Sequence, residues 1–325
     1  MNRILLAPLA LIYRVAILIW DSYWRLRRPV SLQARVISVG NITVGGSGKT
    51  TIAGHIAGKC ISKGLKTAIV ARGYKRSGSG LIILTAKSYS SWEDCGDEPA
   101  ALVKSNNELV VYVDSDKTAA AKKAVEGGYD VIVIDDGFQH RKLHRDIDVV
   151  CLDGLDPFGN GHLLPVGRLR EPIRSLSRAD VIIVVDGSSQ ETSALPGELA
   201  AIPKFKARKK VRSIRNFLEE TVELEGSRVL AFCGLGNPES FYRSLQETGC
   251  DVAGFMKFKD HHRYDSDDIR RILNNHIAGK SDHIVTTLKD AVKLEKIWPA
   301  NIPFYFLETV IELEREDEFF RLLGV

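Results

Sequence analysis

One stretch constrains this chain more than any other. An apolar run, Val36 to Val39, passes through Gly40, Asn41 and Ile42 into Thr43-Val44-Gly45-Gly46-Ser47-Gly48-Lys49-Thr50, then into a helical pattern, Thr50 to Lys63, ended by Gly64. Strand, glycine-rich loop and helix in this order make a cradle for a polyphosphate, because backbone N–H groups and a helix N-terminus converge on one anion. The spacing matches G-x-x-x-x-G-K-[ST] at Gly48, Lys49 and Thr50, although Thr43 stands where the first glycine is usual. Residues Thr43 to Thr50 are therefore the candidate nucleotide-binding residues. Lys49 is expected at the β- and γ-phosphates, and the Thr50 hydroxyl on Mg2+.

A second apolar run, Val131 to Ile134, ends in Asp135 and Asp136, so one of the two carboxylates is expected to hold Mg2+ directly or through water. Further apolar runs, Thr67–Ala71, Leu109–Val113, Ile147–Leu152 and Val181–Val185, alternate with helical stretches. They are continuous rather than alternating, which predicts an α/β fold: a P-loop NTPase-like, mostly parallel sheet covered by helices on both faces. A stretch rich in Lys and Arg, Lys204 to Arg215, precedes strand-like runs at Arg228–Cys233, Asp251–Phe255, His283–Thr287 and Pro303–Leu307 and a closing helix from Glu314. A boundary at 210–226 divides the chain into a P-loop domain, 31–215, and a smaller α/β domain, 226–325.

Residues 1–30 form a third element. Ile4 to Trp20 is apolar but interrupted by Pro8 and Arg14, too broken for a spanning helix. A helix starting near Pro8 gathers Arg14, Asp21, Arg25 and Arg28 within about 60° of arc, while Leu9, Ile12, Ile17, Ile19, Trp20 and Trp24 cover the rest. That pattern suits a helix lying in a bilayer interface, in preference to one packed on its own domain. A signal peptide would strand the phosphate loop outside the compartment that holds its nucleotide.

With 45 basic against 41 acidic side chains, the chain lacks the concentrated basic character of nucleic-acid binders, and no nucleic-acid partner is expected. Its five cysteines are odd in number and lack any C-x-x-C pair, which fits a reducing compartment. His144-Arg145-Asp146 imitates a protein-kinase catalytic loop but has Cys151 where asparagine is needed. Gly234-Leu235-Gly236 has Glu239 in place of the third glycine of a dinucleotide fingerprint. Thr287-Leu288-Lys289-Asp290 has the wrong order for a GTPase base-reading motif. A membrane-associated regulatory ATPase of the deviant Walker type is the alternative reading, but its signature lysine position is occupied by Val44.

Several blocks together carry a more specific signal: Asn41 to Thr50, Ala71-Arg72-Gly73-Tyr74-Lys75-Arg76, Gly96-Asp97-Glu98-Pro99, Asp135 to Asp146 with its D-D-G-F-Q-H-R core, Leu163 to Pro172, and Asp260-His261. In these the chain resembles the tetraacyldisaccharide 4′-kinases of lipid A synthesis, over nearly its whole length. The resemblance implies transfer of the γ-phosphate of ATP to the 4′-hydroxyl of an acylated disaccharide 1-phosphate, giving lipid IVA, by a monomer held peripherally at the cytoplasmic face of the inner membrane. It also implies that Asp97 and His261 form an acid/base pair beside Lys49, with either Asp97 orienting His261 or Asp97 itself as the base. Glu98, His140, Arg170 and Glu171 are implied around the metal, water or acceptor, and Arg72 and Tyr74 on the substrate side. Lys117 replaces an expected arginine, Lys259 a frequent proline and Cys95 a common small residue; the first matters because lysine cannot make the bidentate phosphate contact of arginine.

Overall fold

The computed structural model describes residues 3–187 and 199–325, with side chains from Pro8 onward. The first half runs through helix α1 (Arg3–Arg25), strand β1 (Arg35–Gly40), α2 (Lys49–Ser62), β2 (Thr67–Ala71), β3 (Ile82–Leu84), α3 (Trp92–Cys95) and α4 (Asp97–Ser105). It continues with β4 (Val111–Val113), α5 (Lys117–Glu126), β5 (Val131–Asp135), β6 (Ile147–Asp153), β7 (Val181–Val185) and β8 (Lys204–Arg215). The second half comprises β9 (Arg228–Cys233), α6 (Pro238–Gln246), β10 (Asp251–Lys257) and α7 (Ser266–Gly279), then β11 (His283–Thr287), α8 (Leu288–Leu294), β12 (Tyr305–Leu313) and α9 (Glu316–Leu323).

Among the described residues the strands form one 12-stranded sheet, ordered β10-β9-β11-β12-β8-β7-β6-β1-β5-β2-β4-β3. Neighbours are parallel except at β3–β4 and at β8–β12. Helices α2, α4 and α9 pack Ile52, Ile56, Leu102, Phe319 and Phe320 on one face of the P-loop half. Helix α5 packs Ala120, Ala121 and Ala124 against Val36 and Ile132 on the other. This is the two-faced covering that continuous apolar strands require.

The seam between β8 and β12 decides where the site lies. In a flat sheet, an antiparallel seam would send the C-terminal ends of β1, β5 and β6 to one edge and those of β9, β10 and β11 to the other. Here both sets border one cleft. The sheet therefore turns over along this long ribbon, which carries a register shift between Glu308 and Thr309 of the kind that increases local twist.

The basic stretch 204–215 is a strand throughout and not a connecting segment. Its burial follows a period of two, with Phe205 and Ala207 facing in and Lys204, Lys206, Arg208 and Lys210 on the opposite side, so charge masks an alternation that is present. Strand β12 is longer than its apolar run because β8 pairs with it as far as Leu313. Strand β3, with only three residues, leaves too short a period to detect.

Helix α1 departs from expectation in two respects. It begins at Arg3, so that Pro8 lies in its second turn, where it forfeits the hydrogen bond to Ile4. It ends at Arg25, which leaves Arg28 outside the helix. Ala10, Tyr13, Ile17, Asp21 and Trp24 form a half-buried stripe. The Tyr13 hydroxyl donates to the Arg170 carbonyl at 2.9 Å, and Asp21 pairs with Arg141. Asp21 thus faces the protein and not an outer charged ridge. The opposite side exposes Leu11, Ile12, Val15 and Ile19, and Trp20 at its flank and Leu26 just past the helix end are exposed as well. No helix among the described residues is long and apolar enough to cross a membrane.

Gly40 marks the point where β1 delivers the chain to the site. A Cβ there would lie 2.6 Å from Phe138 Cβ and 2.7 Å from its backbone nitrogen. Gly40→Ala should therefore lower stability by about 1–3 kcal/mol. Urea unfolding would show this as a reduced midpoint at constant slope; an unchanged midpoint would refute the close approach.

Candidate active site

The phosphate loop is held open from its outer side. Val44 N–H donates to the Arg168 carbonyl at 2.8 Å, the Arg168 guanidinium returns bonds to the Val44 carbonyl at 3.2 and 3.1 Å, and Asn41 Nδ2 donates to Ser47 Oγ at 2.9 Å. Gly48 has a φ of 76°, a left-handed conformation suited to glycine, and caps α2 without a side-chain acceptor. The first N–H groups of α2 are left for an anion, with the helix dipole behind them.

Strand β5 lies beside β1 with Asp135 in register with Val39, so its acidic end meets the loop. Asp135 Oδ2 accepts from Thr50 Oγ1 at 3.0 Å, while its Oδ1 is buried with no partner among the described residues. Burial, with Glu98 adding repulsion and Lys49 opposing it, pushes this carboxyl up to about 7. Asp136, at a φ of 52°, is gripped by Arg170 at 2.9 and 3.0 Å and faces Lys49 at 3.9 Å. Burial would raise its carboxyl, but Lys49, Arg170 and Lys117 outweigh that and hold it below the usual carboxylate range.

Lys117 reaches this corner from the start of α5, where it also lines the cleft. Its buried ammonium donates to the carbonyls of Asp135 at 2.7 Å and Asp136 at 2.6 Å, fixing the turn that leaves the strand. His140 and Glu171 stand behind the site. His140 Nε2 bonds Thr118 Oγ1 at 2.9 Å, and burial, helped by Lys117, pushes the imidazole down to about 4, which keeps it neutral. Glu171 pairs with Arg178 at 2.8 Å and accepts from Gln139 at 3.0 Å. Arg72, Tyr74, Glu98 and Arg170 do line the cleft.

Asp97 begins α4 and is 3% exposed. Both its oxygens lie against His261 Nδ1, at 3.0 and 2.9 Å, across 164 residues of chain. Burial works against its charge, but His261, Lys289 and Lys293 together hold the carboxyl below its ordinary range. His261 has a φ of 55° and its ring meets Tyr74 edge-on at 4.8 Å. A carboxylate can only accept, so Nδ1 carries a proton, and in the neutral imidazole Nε2 is then the acceptor. The cleft that brings loop, acids and dyad together has a volume of about 970 Å³.

Sequence reasoning missed Lys209, Lys289 and Lys293. Lys209 comes from β8, whose strand character its basic residues hide, and pairs with Asp186 at 3.3 Å beside the loop. Of the two α8 lysines, Lys289 lies in the stretch read only against a GTPase motif and Lys293 just beyond it; their four-residue spacing around Asp290, directly after an apolar strand, was the available signal.

Lys117→Met should strand two buried carbonyls and cost about 2–4 kcal/mol. Thermal unfolding of that variant would test this, and an unchanged midpoint would mean that the ammonium does not hold the corner.

Comparison with known proteins matches the whole chain to one family. The family model described as tetraacyldisaccharide-1-P 4′-kinase matches residues 2–324. The tetraacyldisaccharide 4′-kinase of Syntrophus aciditrophicus is 35% identical over 343 residues, covering 98% of this chain and 92% of that protein. The enzyme of the same name from Geobacter metallireducens is 35% identical, covering 90% and 87%. The crystal structure of LpxK from Aquifex aeolicus in complex with ATP is 31% identical, covers 100% of this chain and 99% of that one, and superposes with a TM-score of 0.78. With the match running from end to end in both sequence and fold, the chain belongs to the tetraacyldisaccharide-1-P 4′-kinase family.

Proposed function

We propose that this chain transfers the γ-phosphate of ATP to the 4′-hydroxyl of tetraacyldisaccharide 1-phosphate, giving lipid IVA. The observation that carries the reading is the convergence of the phosphate loop and the Asp97–His261 pair on a single cleft. The loop after β10 brings His261 to the cleft beside the P-loop half.

The residues present fit Mg2+. The unpaired, buried Asp135 Oδ1 beside the Thr50 hydroxyl is a pair of hard oxygen donors at the loop, and Asp136 is already committed to Arg170. No group of three or more His, Cys, Asp or Glu side chains converges among the described residues, but Mg2+ in phosphoryl transfer commonly takes only one or two carboxylates together with substrate phosphates. Asp135 and Thr50 would hold the ion, with Asp136 behind them, and the ion would neutralise charge on the β- and γ-phosphates.

Chemistry at the acceptor falls to the dyad. Asp97 is buried and spends both oxygens on Nδ1, so the proton of the attacking hydroxyl goes to His261 Nε2. Asp97 then stabilises the imidazolium. Lys49 carries positive charge at the transferring group, and Arg72, Tyr74 and Arg170 border the acceptor.

The exposed apolar side of α1 supports a peripheral seat at the cytoplasmic face of the inner membrane, where the headgroup of an acylated acceptor would emerge. The enzyme works there as a peripheral monomer.

Incubation with labelled ATP and acylated disaccharide 1-phosphate should yield a 4′-phosphorylated lipid, and its absence would overturn the reading. Lys49→Ala should reduce turnover on the order of 10²-fold or more, since it removes charge from the transferring phosphate. Chelating Mg2+ should abolish turnover in the same assay; full activity in excess chelator would refute the metal site. Replacing Ile12, Ile19 and Leu26 together by serine should cut vesicle binding by roughly tenfold or more and leave ATP affinity intact. Parallel loss of both would instead make α1 a structural element.

A further inference from the structure

Helix α8, which carries the stretch rejected as a GTPase motif, points its charged residues at the catalytic pair. The Thr287 hydroxyl accepts from Asp290 N–H at 3.1 Å and donates to its carboxylate at 2.9 Å, which fixes the start of the helix. Asp290, fully buried, also accepts from Gly234 N–H at 2.8 Å and pairs with Lys293 at 2.7 Å. Lys289 and Lys293 are one helical turn apart and share a face, and α8 packs that face on α4, the helix that begins with Asp97. Lys293 is entirely buried with its ammonium 3.8 Å from Asp97 Oδ2, a fixed cation behind the carboxylate.

Lys289 reaches further. Its ammonium lies 3.3 Å from Glu98 Oε1, 3.5 Å from Asp260 Oδ1 and 3.3 Å from His261 Nε2. An ammonium has three N–H donors and no lone pair, so these three neighbours use it completely, and Nε2 must meet it as an acceptor. That is the place and the lone pair that an acceptor hydroxyl needs. A hydroxyl within hydrogen-bond reach of Nε2, about to attack a phosphorus roughly 3 Å away, brings the equatorial phosphoryl oxygens within a few ångströms of the Lys289 ammonium.

We propose that Lys289 is a catalytic residue: it holds His261 Nε2 until the acceptor hydroxyl displaces it, then turns the freed N–H onto the transferring phosphoryl from the acceptor side. This rests on the kinase reading given above. In the step, the hydroxyl oxygen forms a bond to the γ-phosphorus as the bond from that phosphorus to the β–γ bridging oxygen breaks. The bridging oxygen keeps the electron pair and leaves on ADP, and the hydroxyl proton passes to Nε2. Lys289 keeps all its protons. Glu98 and Asp260 tether the ammonium throughout, and Lys49 supplies the matching charge on the nucleotide side. Burial alone would lower the Lys289 ammonium, but Glu98, Asp97 and Asp260 outweigh it and keep the group charged.

The test uses the full-length chain with ATP and acylated disaccharide 1-phosphate. Lys289→Ala should lower kcat on the order of 10²-fold or more, with KM for ATP changed by less than about threefold. Lys289→Arg should recover at least about tenfold of that loss, because it restores a cation with several donors. Added ethylammonium should also raise the turnover of Lys289→Ala saturably, which a purely structural role would not allow. Should Lys289→Ala fail to fold, Lys289→Met keeps the apolar stem and carries the same comparison of kcat with KM. A loss smaller than about threefold, or one relieved by neither arginine nor the amine, would overturn the proposal. If the unsubstituted chain itself makes no 4′-phosphorylated lipid, it is the kinase reading that fails.

Discussion

The contact between Asp97 and His261 joins two parts of the chain separated by 164 residues, and the arrangement of the cleft depends on it. A carboxylate buried this deeply is costly unless charged or hydrogen-bonding partners surround it. Here every partner comes from the other side of the sheet seam: His261 from the loop after β10, Lys289 and Lys293 from α8. Removing one member of such a pair typically costs about 3–5 kcal/mol. The groups that make the cleft reactive are thus also among those that hold its two walls together.

Two non-glycine residues in the left-handed region mark the same place. Asp136 turns the chain out of β5 and His261 turns it after β10, and each is over-determined by its surroundings. Arg170, Lys49 and Lys117 fix the first; Asp97, Tyr74 and Lys289 fix the second. Local strain of this kind is kept where side-chain direction matters more than backbone comfort. At Asp136 the turn leaves Asp135 Oδ1 free beside the loop, and at His261 it leaves Nε2 toward the cleft.

What could be read from the residues follows from how locally each feature is encoded. The phosphate loop is a continuous segment whose glycines, lysine and threonine act through backbone geometry, so it and the acidic end of β5 are visible directly. Buried parallel strands such as Val131–Asp135 announce themselves as unbroken apolar runs. Strand β8 does not, because its outward residues are Lys and Arg, the alternation underneath is carried by little more than Phe205 and Ala207, and the register shift before Ser213 changes its phase so that Ile214 is the next buried residue. Asp97 and His261 are distant in sequence and ordinary in their local setting, so only resemblance to a family pairs them. Lys289 and Lys293 escaped because a charged pair on a seven-residue helix looks like solvent-facing surface until the packing of α8 on α4 is known. Asp21 misled for the converse reason: its arc on α1 is shared with arginines, and Arg141, which turns it inward, lies far away in sequence.

The most direct test of the account is a double-mutant cycle on turnover with Asp97→Asn, His261→Ala and the combined variant. If the pair acts as one unit, the combined variant loses no more than about what His261→Ala loses alone, since orienting an absent imidazole has no value. If the two losses multiply, the residues act independently, and the carboxylate does not work through the histidine.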